Sequence, residues 1–86
     1  MVEYEVSVAR SARKALQALN PPLALRIVAR IAALATTPRP SGCVKLEGSS
    51  NLWRIRVGDY RVIYAIDDQR RLIDVSTVRH RRDVYR

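Results

Sequence analysis

The sequence predicts an α+β fold: an N-terminal strand, a two-helix hairpin and an antiparallel β-meander, with both helices packed on one face of a four- to five-stranded sheet. Three observations carry this. Apolar residues alternate with polar ones at the start of the chain, recur at helical spacing as far as Ala35, and return to a period of two from Val44 onward. Turn-forming Pro and Gly residues separate these regions. An order of strand, two helices and meander can close one core only by laying its helices on the sheet.

Each element has its own signal. Val2, Tyr4, Val6 and Val8 alternate with Glu3, Glu5 and Ser7, the pattern of a half-buried strand. Ser11 is an expected N-cap for a helix to about Leu19, with Ala12, Ala15, Leu16 and Leu19 on one face. Asn20-Pro21-Pro22 stops that helix, because proline lacks an amide donor and disfavours α geometry in the residue before it. A second helix fits Pro22 to about Ala35, with Leu23, Ile27, Ile31 and Leu34 as its apolar stripe and Arg26 and Arg30 on a wetter face. The segment from Thr37 to Gly42 reads as loop. Strands follow at Val44 to Leu46, Leu52 to Val57, Tyr60 to Ile66 and Leu72 to about Arg79. Gly58-Asp59 and the run Asp67 to Arg70 mark the last two connections.

The chain has 86 residues, a length suited to one domain over residues 1–86. With 48% hydrophobic residues and no Phe, the core must be built from Leu, Ile, Val and a few Tyr, so the stability margin is expected to be thin. No basic start followed by an apolar run indicates a signal peptide, and Ile31 to Ala35 is too short to span a bilayer. The lone Cys43 cannot form an internal disulfide and lies in no metal-ligand spacing. The expected setting is cytoplasmic, with no membrane partner, no metal and no cofactor.

Sixteen Lys and Arg against eight Asp and Glu give a net charge of +8, and only Lys14 and Lys45 of the sixteen are lysine. A guanidinium grips phosphate with a planar fork where an ammonium offers a point charge, so the composition favours a nucleic-acid partner. A solvated basic surface, or a face for an acidic protein, is the plainer alternative.

Within the strand from Leu52 to Val57, Arg54 and Arg56 point away from Trp53, Ile55 and Val57, about 7 Å apart, a spacing fit to cradle phosphate. Arg61 interrupts an otherwise apolar strand and should lie near Arg56 across the Gly58-Asp59 turn. Like charges on adjacent strands cost stability unless an anion occupies them, as in a functional site. Arg79, His80, Arg81, Arg82, Tyr85 and Arg86 crowd the C-terminus, offset only by Asp83. That end is either a frayed basic tail or a docked one, and Val84 and Tyr85 favour docking. His80 is the only histidine and the only side chain that titrates near neutrality when unperturbed.

No glycine-rich phosphate loop, metal-ligand spacing or Ser/His/Asp set accompanies these residues, and Asp59, Asp67 and Asp68 read as turn formers. Catalysis by Arg, His and Tyr suits RNA cleavage through the 2′-hydroxyl. A base removes the hydroxyl proton, the oxygen attacks the adjacent phosphorus, and fixed arginines stabilise the extra negative charge of the transition state. An acid then protonates the departing 5′-oxygen. Tyrosine can also stack on an exposed base.

On Lys45-Leu46-Glu47-Gly48, on the run Leu52 to Tyr64 and on Val78-Arg79-His80-Arg81-Arg82-Asp83-Val84-Tyr85, the chain resembles the RelE/ParE toxin superfamily, and its ending is most similar to the RelE branch. The resemblance implies the toxin of a toxin–antitoxin pair, a metal-independent endoribonuclease that cuts messenger RNA on the ribosome and contacts ribosomal RNA. It makes Arg61 the residue that grips the scissile phosphate, Arg81 the stabiliser of the transition state or leaving group, and Tyr85 the residue that orients or deprotonates the attacking nucleotide. His80 takes a supporting catalytic place, and Arg54, Arg56, Arg79 and Arg82 bind RNA. Relatives often carry lysine where Arg54 and Arg56 stand. Arginine does not readily release a proton, which leaves Tyr85 or His80 as the base. The resemblance also implies an acidic RelB-like antitoxin covering the basic cleft. Two other readings belong to different classes: a ParE-like poison of DNA gyrase, and an inactive basic domain that only binds antitoxin or RNA.

Overall fold

The structure is a computed structural model that describes residues 3–82. Strand β1 (Glu5–Val8) leads into helices α1 (Arg10–Gln17) and α2 (Pro21–Ala33), and strands β2 (Val44–Lys45), β3 (Leu52–Val57), β4 (Tyr60–Asp67) and β5 (Leu72–His80) follow. They form a five-stranded sheet in the order β1-β5-β4-β3-β2.

The sheet is mixed rather than wholly antiparallel, since β1 pairs parallel with β5. Parity explains this. Strands β2 to β5 each reverse the one before, so β5 runs opposite to β2, and the helical hairpin lets β2 run opposite to β1. The meander then offers β5 as a free edge, and β1 closes it.

Several boundaries move for local reasons. The first strand begins at Glu5 because the Tyr4 amide donates to the Ala35 carbonyl at the end of α2, 2.8 Å away, and leaves the ladder. Helix α1 is capped by Ala9 with no side-chain bond, so Ser11 is not its N-cap. The Ser11 hydroxyl sits two residues past the cap, within the first turn, and donates instead to the Ser76 carbonyl of β5 at 3.3 Å. Helix α2 starts at Pro21 behind Asn20, where a missing amide costs nothing.

Ala12 of α1 and Ile27, Ile31 and Leu34 of the second helix region meet Ile55, Val57, Val62, Tyr64, Ile66, Ile73, Val75 and Val78 of the sheet in one core. The helices cover a single face. Among the described residues no helix is long and apolar enough to cross a membrane.

A β-bulge lies where β4 and β5 change register, with Ile63 opposite Thr77 but Tyr64 opposite Val75. Ser76 is the extra residue, and its hydroxyl donates to the Ile63 carbonyl at 3.3 Å. Side chains on an unbroken strand alternate, so Ile73, Val75, Thr77 and Arg79 would share one face. The bulge resets the alternation, and Val75 and Val78 both reach the core.

Candidate functional site

The candidate site grows from the β3–β4 turn. Gly58 takes a φ of 61°, the sign that the first position of a II′ hairpin requires and one that other residues adopt at a cost. The two-residue connection fixes the register: Val57 faces Tyr60, Arg56 faces Arg61, and Arg54 faces Ile63. On the other side of β4, Arg61 faces Arg79 and Tyr60 faces His80.

Directly opposed residues of antiparallel strands share a face, with Cα atoms roughly 4.5–5.5 Å apart. Arg56, Arg61 and Arg79 therefore form a row across three strands. Arg54 lies two residues from Arg56 on the same face, the one opposite the helices. Arg79 joins this row only because the bulge turned it away from the core. Arg54 and Arg61 are half-buried, while Arg56 and Arg79 are exposed. The Arg54 Nε is buried with no hydrogen-bond partner among the described residues. Such a donor costs about 1–3 kcal/mol.

Acidic groups keep to the other end of this face. Asp74 faces Ala65 and accepts from the Ser7 hydroxyl at 3.2 Å, and Glu5 lies further along on β1. Ala65 is four residues from Arg61, roughly 13 Å along the strand. The sheet face is thus positive toward the hairpin tip and negative toward the far edge.

The remaining C-terminal residues diverge. Arg81 is drawn to the hairpin tip: its amide donates to the Asp59 carbonyl at 2.7 Å, and its Nε stands 4.0 Å from the Asp59 carboxylate. Arg82 is exposed just beyond β5. His80 follows Val78 on the helix side of the sheet, away from the row, and its ring meets Tyr60 edge-on at 5.2 Å and 89°. The His80 Nδ1 accepts from the Arg82 amide at 3.2 Å. Tyr85 lies outside the described residues.

The structure brings Arg54, Arg56, Arg61 and Arg79 together. It sets Arg81 at the adjoining turn and His80 on the opposite face. Among the described residues, no three of His, Cys, Asp and Glu converge as metal ligands would.

One cluster was not foreseen from the sequence. Arg39 donates to both Asp68 carboxylate oxygens, at 2.8 and 3.4 Å, and lies over the Trp53 ring 4.9 Å from its centroid. The Tyr4 hydroxyl donates to Asp68 at 2.6 Å. The Arg39 bond holds the Asp68 carboxyl below its ordinary pKa, and the bond to Asp68 raises the Tyr4 phenol above its own. Nearby, the buried Tyr64 hydroxyl donates to the Pro38 carbonyl at 2.8 Å, and burial raises its pKa. Together these bonds tie the loop after α2 to the end of the sheet. Residues 4, 39, 53 and 68 share no spacing that a single sequence could show.

A family model described as the ParE toxin of type II toxin–antitoxin systems, parDE, matches residues 6–85. Among solved structures, the chain is similar to the archaeal RelE–RelB complex from Pyrococcus horikoshii OT3 at 32% identity, over 91% of this chain and 94% of that one, with a TM-score of 0.81. It is similar to the toxin–antitoxin complex RelBE2 from Mycobacterium tuberculosis at 27% identity, over 92% and 99% of the two chains, with a TM-score of 0.80. The isolated E. coli RelE toxin shares the fold at 20% identity, with 90% and 83% covered and a TM-score of 0.77. No curated protein matches the sequence.

Proposed function

The chain belongs to the RelE/ParE superfamily of toxins from toxin–antitoxin systems, and from that premise we propose that it is a metal-independent endoribonuclease that cleaves messenger RNA on the ribosome. The observation that supports this most is the row of Arg56, Arg61 and Arg79 on the sheet face opposite the helices. Guanidinium groups at neighbouring positions concentrate positive charge on one stretch of this face, which suits a phosphate. The pentacoordinate transition state of 2′-hydroxyl attack carries more charge than the ground-state phosphodiester. A fixed row therefore binds it more tightly than the substrate, which lowers the barrier.

Arg61 is central and half-buried, so it grips the scissile phosphate, with Arg56 on one side and Arg79 on the other. Arg79 thereby takes the transition-state role that the resemblance gave to Arg81. Arg81, beside Asp59, and Arg82 bind the RNA strand at the rim. Arg54 extends the cradle along β3. Tyr85 orients or deprotonates the attacking nucleotide. His80 is assigned to positioning: with Nδ1 accepting from the Arg82 amide, it holds the turn at the end of β5.

The partner is an acidic RelB-like antitoxin, in keeping with the RelE–RelB and RelBE2 complexes in which the relatives were solved, and its carboxylates neutralise the same row. The ribosome presents the messenger, and ribosomal RNA supplies the surrounding contacts. A second reading, a ParE-like poison of DNA gyrase, draws on the description of the matching family model.

The test is induced expression, without antitoxin, of the wild type and of Arg61→Ala, Arg79→Ala and Tyr85→Phe, with new messenger RNA ends mapped. Growth arrest with cuts inside translated frames, lost in all three variants, supports the ribonuclease. Arrest without cuts, unchanged by the substitutions, refutes it and points to gyrase.

A further inference from the structure

The exposed face of α1 carries Arg10, Arg13, Lys14 and Gln17, which line one open depression on the helix side of the molecule. The spacing i, i+3, i+4 and i+7 stacks them along two turns of helix. The local physics of α1 does not favour cations at its N-terminal end, although Lys14 in the last turn suits the dipole. Arg10 and Arg13 lie in and just after the first turn, where the helix dipole is positive and an acidic residue would be stabilising, yet the first turn holds none. The pairs Arg10–Arg13 and Arg10–Lys14 are like-charged neighbours on the helix surface, which also disfavours an isolated helix. A short helix that stacks three cations on one face, two of them toward the positive end of its dipole, has the signature of a ligand-binding face.

We propose that this face of α1 is a second anion site, one that grips the phosphate backbone of duplex RNA. It lies across the sheet from the Arg56–Arg61–Arg79 row, so one RNA segment in the row leaves it open to another. Two features select the ligand. The face has no aromatic side chain on which an unpaired base could stack, whereas duplex RNA is held through its backbone and shape. It also lacks the apolar anchor of a protein interface: the large exposed hydrophobic residues Leu25, Val28, Val44 and Leu72 all lie on other elements. The proposal rests on the ribonuclease reading only in taking RNA, rather than DNA, as the polyanion.

The test measures binding without cleavage. The full chain and an Arg10→Gln/Arg13→Gln/Lys14→Gln variant are titrated with an RNA duplex of about 20 base pairs over a series of salt concentrations. Each phosphate contact contributes roughly 0.9 to the slope of log affinity against log salt. The variant is expected to show a slope shallower by about two to three, an affinity at least tenfold weaker at low salt, and a melting temperature no lower than the wild type. If the variant melts lower, Arg13→Gln alone is read for a slope change of about 0.9. An unchanged slope overturns the proposal. So does a variant that loses affinity for poly-glutamate but keeps its RNA slope, which gives the face to an acidic protein. A wild type that never cuts messenger RNA, but whose duplex binding still depends on α1, refutes the ribonuclease reading and leaves this site standing.

Discussion

If the arginine row is under electrostatic tension, removing its two ends should make the protein more stable while disarming it. Arg56 and Arg79 each stand directly opposite Arg61, and both are exposed. Arg56→Gln/Arg79→Gln keeps the stems and strand geometry but removes both like-charge pairs, and leaves the half-buried Arg61 in place. Directly opposed pairs of this kind are worth about 0.2–1 kcal/mol each, so the double variant should gain about 0.4–2 kcal/mol. For a domain of this size, 1 kcal/mol moves the melting temperature by about 4–8 °C, which gives a rise of about 2–16 °C. The assay is thermal unfolding followed by circular dichroism at low and high salt. Exposed charges are screened over about 3 Å at 1 M salt against 30 Å at 0.01 M, so the gap between variant and wild type should close as salt is added. Messenger cleavage on ribosomes should fall at the same time. A double variant that melts at or below the wild type at low salt would refute the idea that the row is strained.

Three further outcomes follow from other parts of the molecule. His80→Ala, which frees the Arg82 amide but leaves the row untouched, should reduce cleavage by less than about tenfold, against at least a hundredfold for Arg61→Ala; equal losses would return His80 to the chemistry. Burial raises the Tyr64 pKa, so the folded state binds its proton more tightly than the unfolded chain does. The stability this gives is complete below the unfolded value near 10 and is lost as pH rises above it; Tyr64→Phe should flatten that alkaline loss in denaturant titrations, and costs about 1 kcal/mol at pH 7 through the bond to Pro38. The Asp68 pKa is lowered by Arg39, so its contribution is present above the unfolded carboxylate value and lost as pH falls through the lower folded value; Asp68→Asn should leave a shallower acid limb, and an unchanged limb would show that the Tyr4–Asp68–Arg39 cluster carries no stability.

Local rules made much of this protein legible. The alternation of period two, the Asn20-Pro21-Pro22 stop and the Gly58-Asp59 turn act within a few residues. They placed β3 without error and the other elements to within a few positions. The pairing of Arg56 with Arg61 followed in the same way, because a two-residue turn leaves the register no freedom. The stripe of Arg10, Arg13, Lys14 and Gln17 on α1 is equally visible in the sequence, at helical spacing.

What the chain alone could not decide depended on partners distant in sequence. Ser11 left its expected capping role because the Ser76 carbonyl of β5 came within reach. The Tyr4–Asp68–Arg39–Trp53 cluster assembles from four separate segments. Above all, strict alternation along β5 would have sent Arg79 into the core beside Val75. Only the bulge at Ser76, formed against Ile63 of the neighbouring strand, turned Arg79 outward to Arg61 and His80 inward to Tyr60. Composition and periodicity determined that this would be a basic sheet under two helices. Which basic residues share a face was settled by one extra residue in the ladder, because a one-residue shift reverses every side chain that follows it.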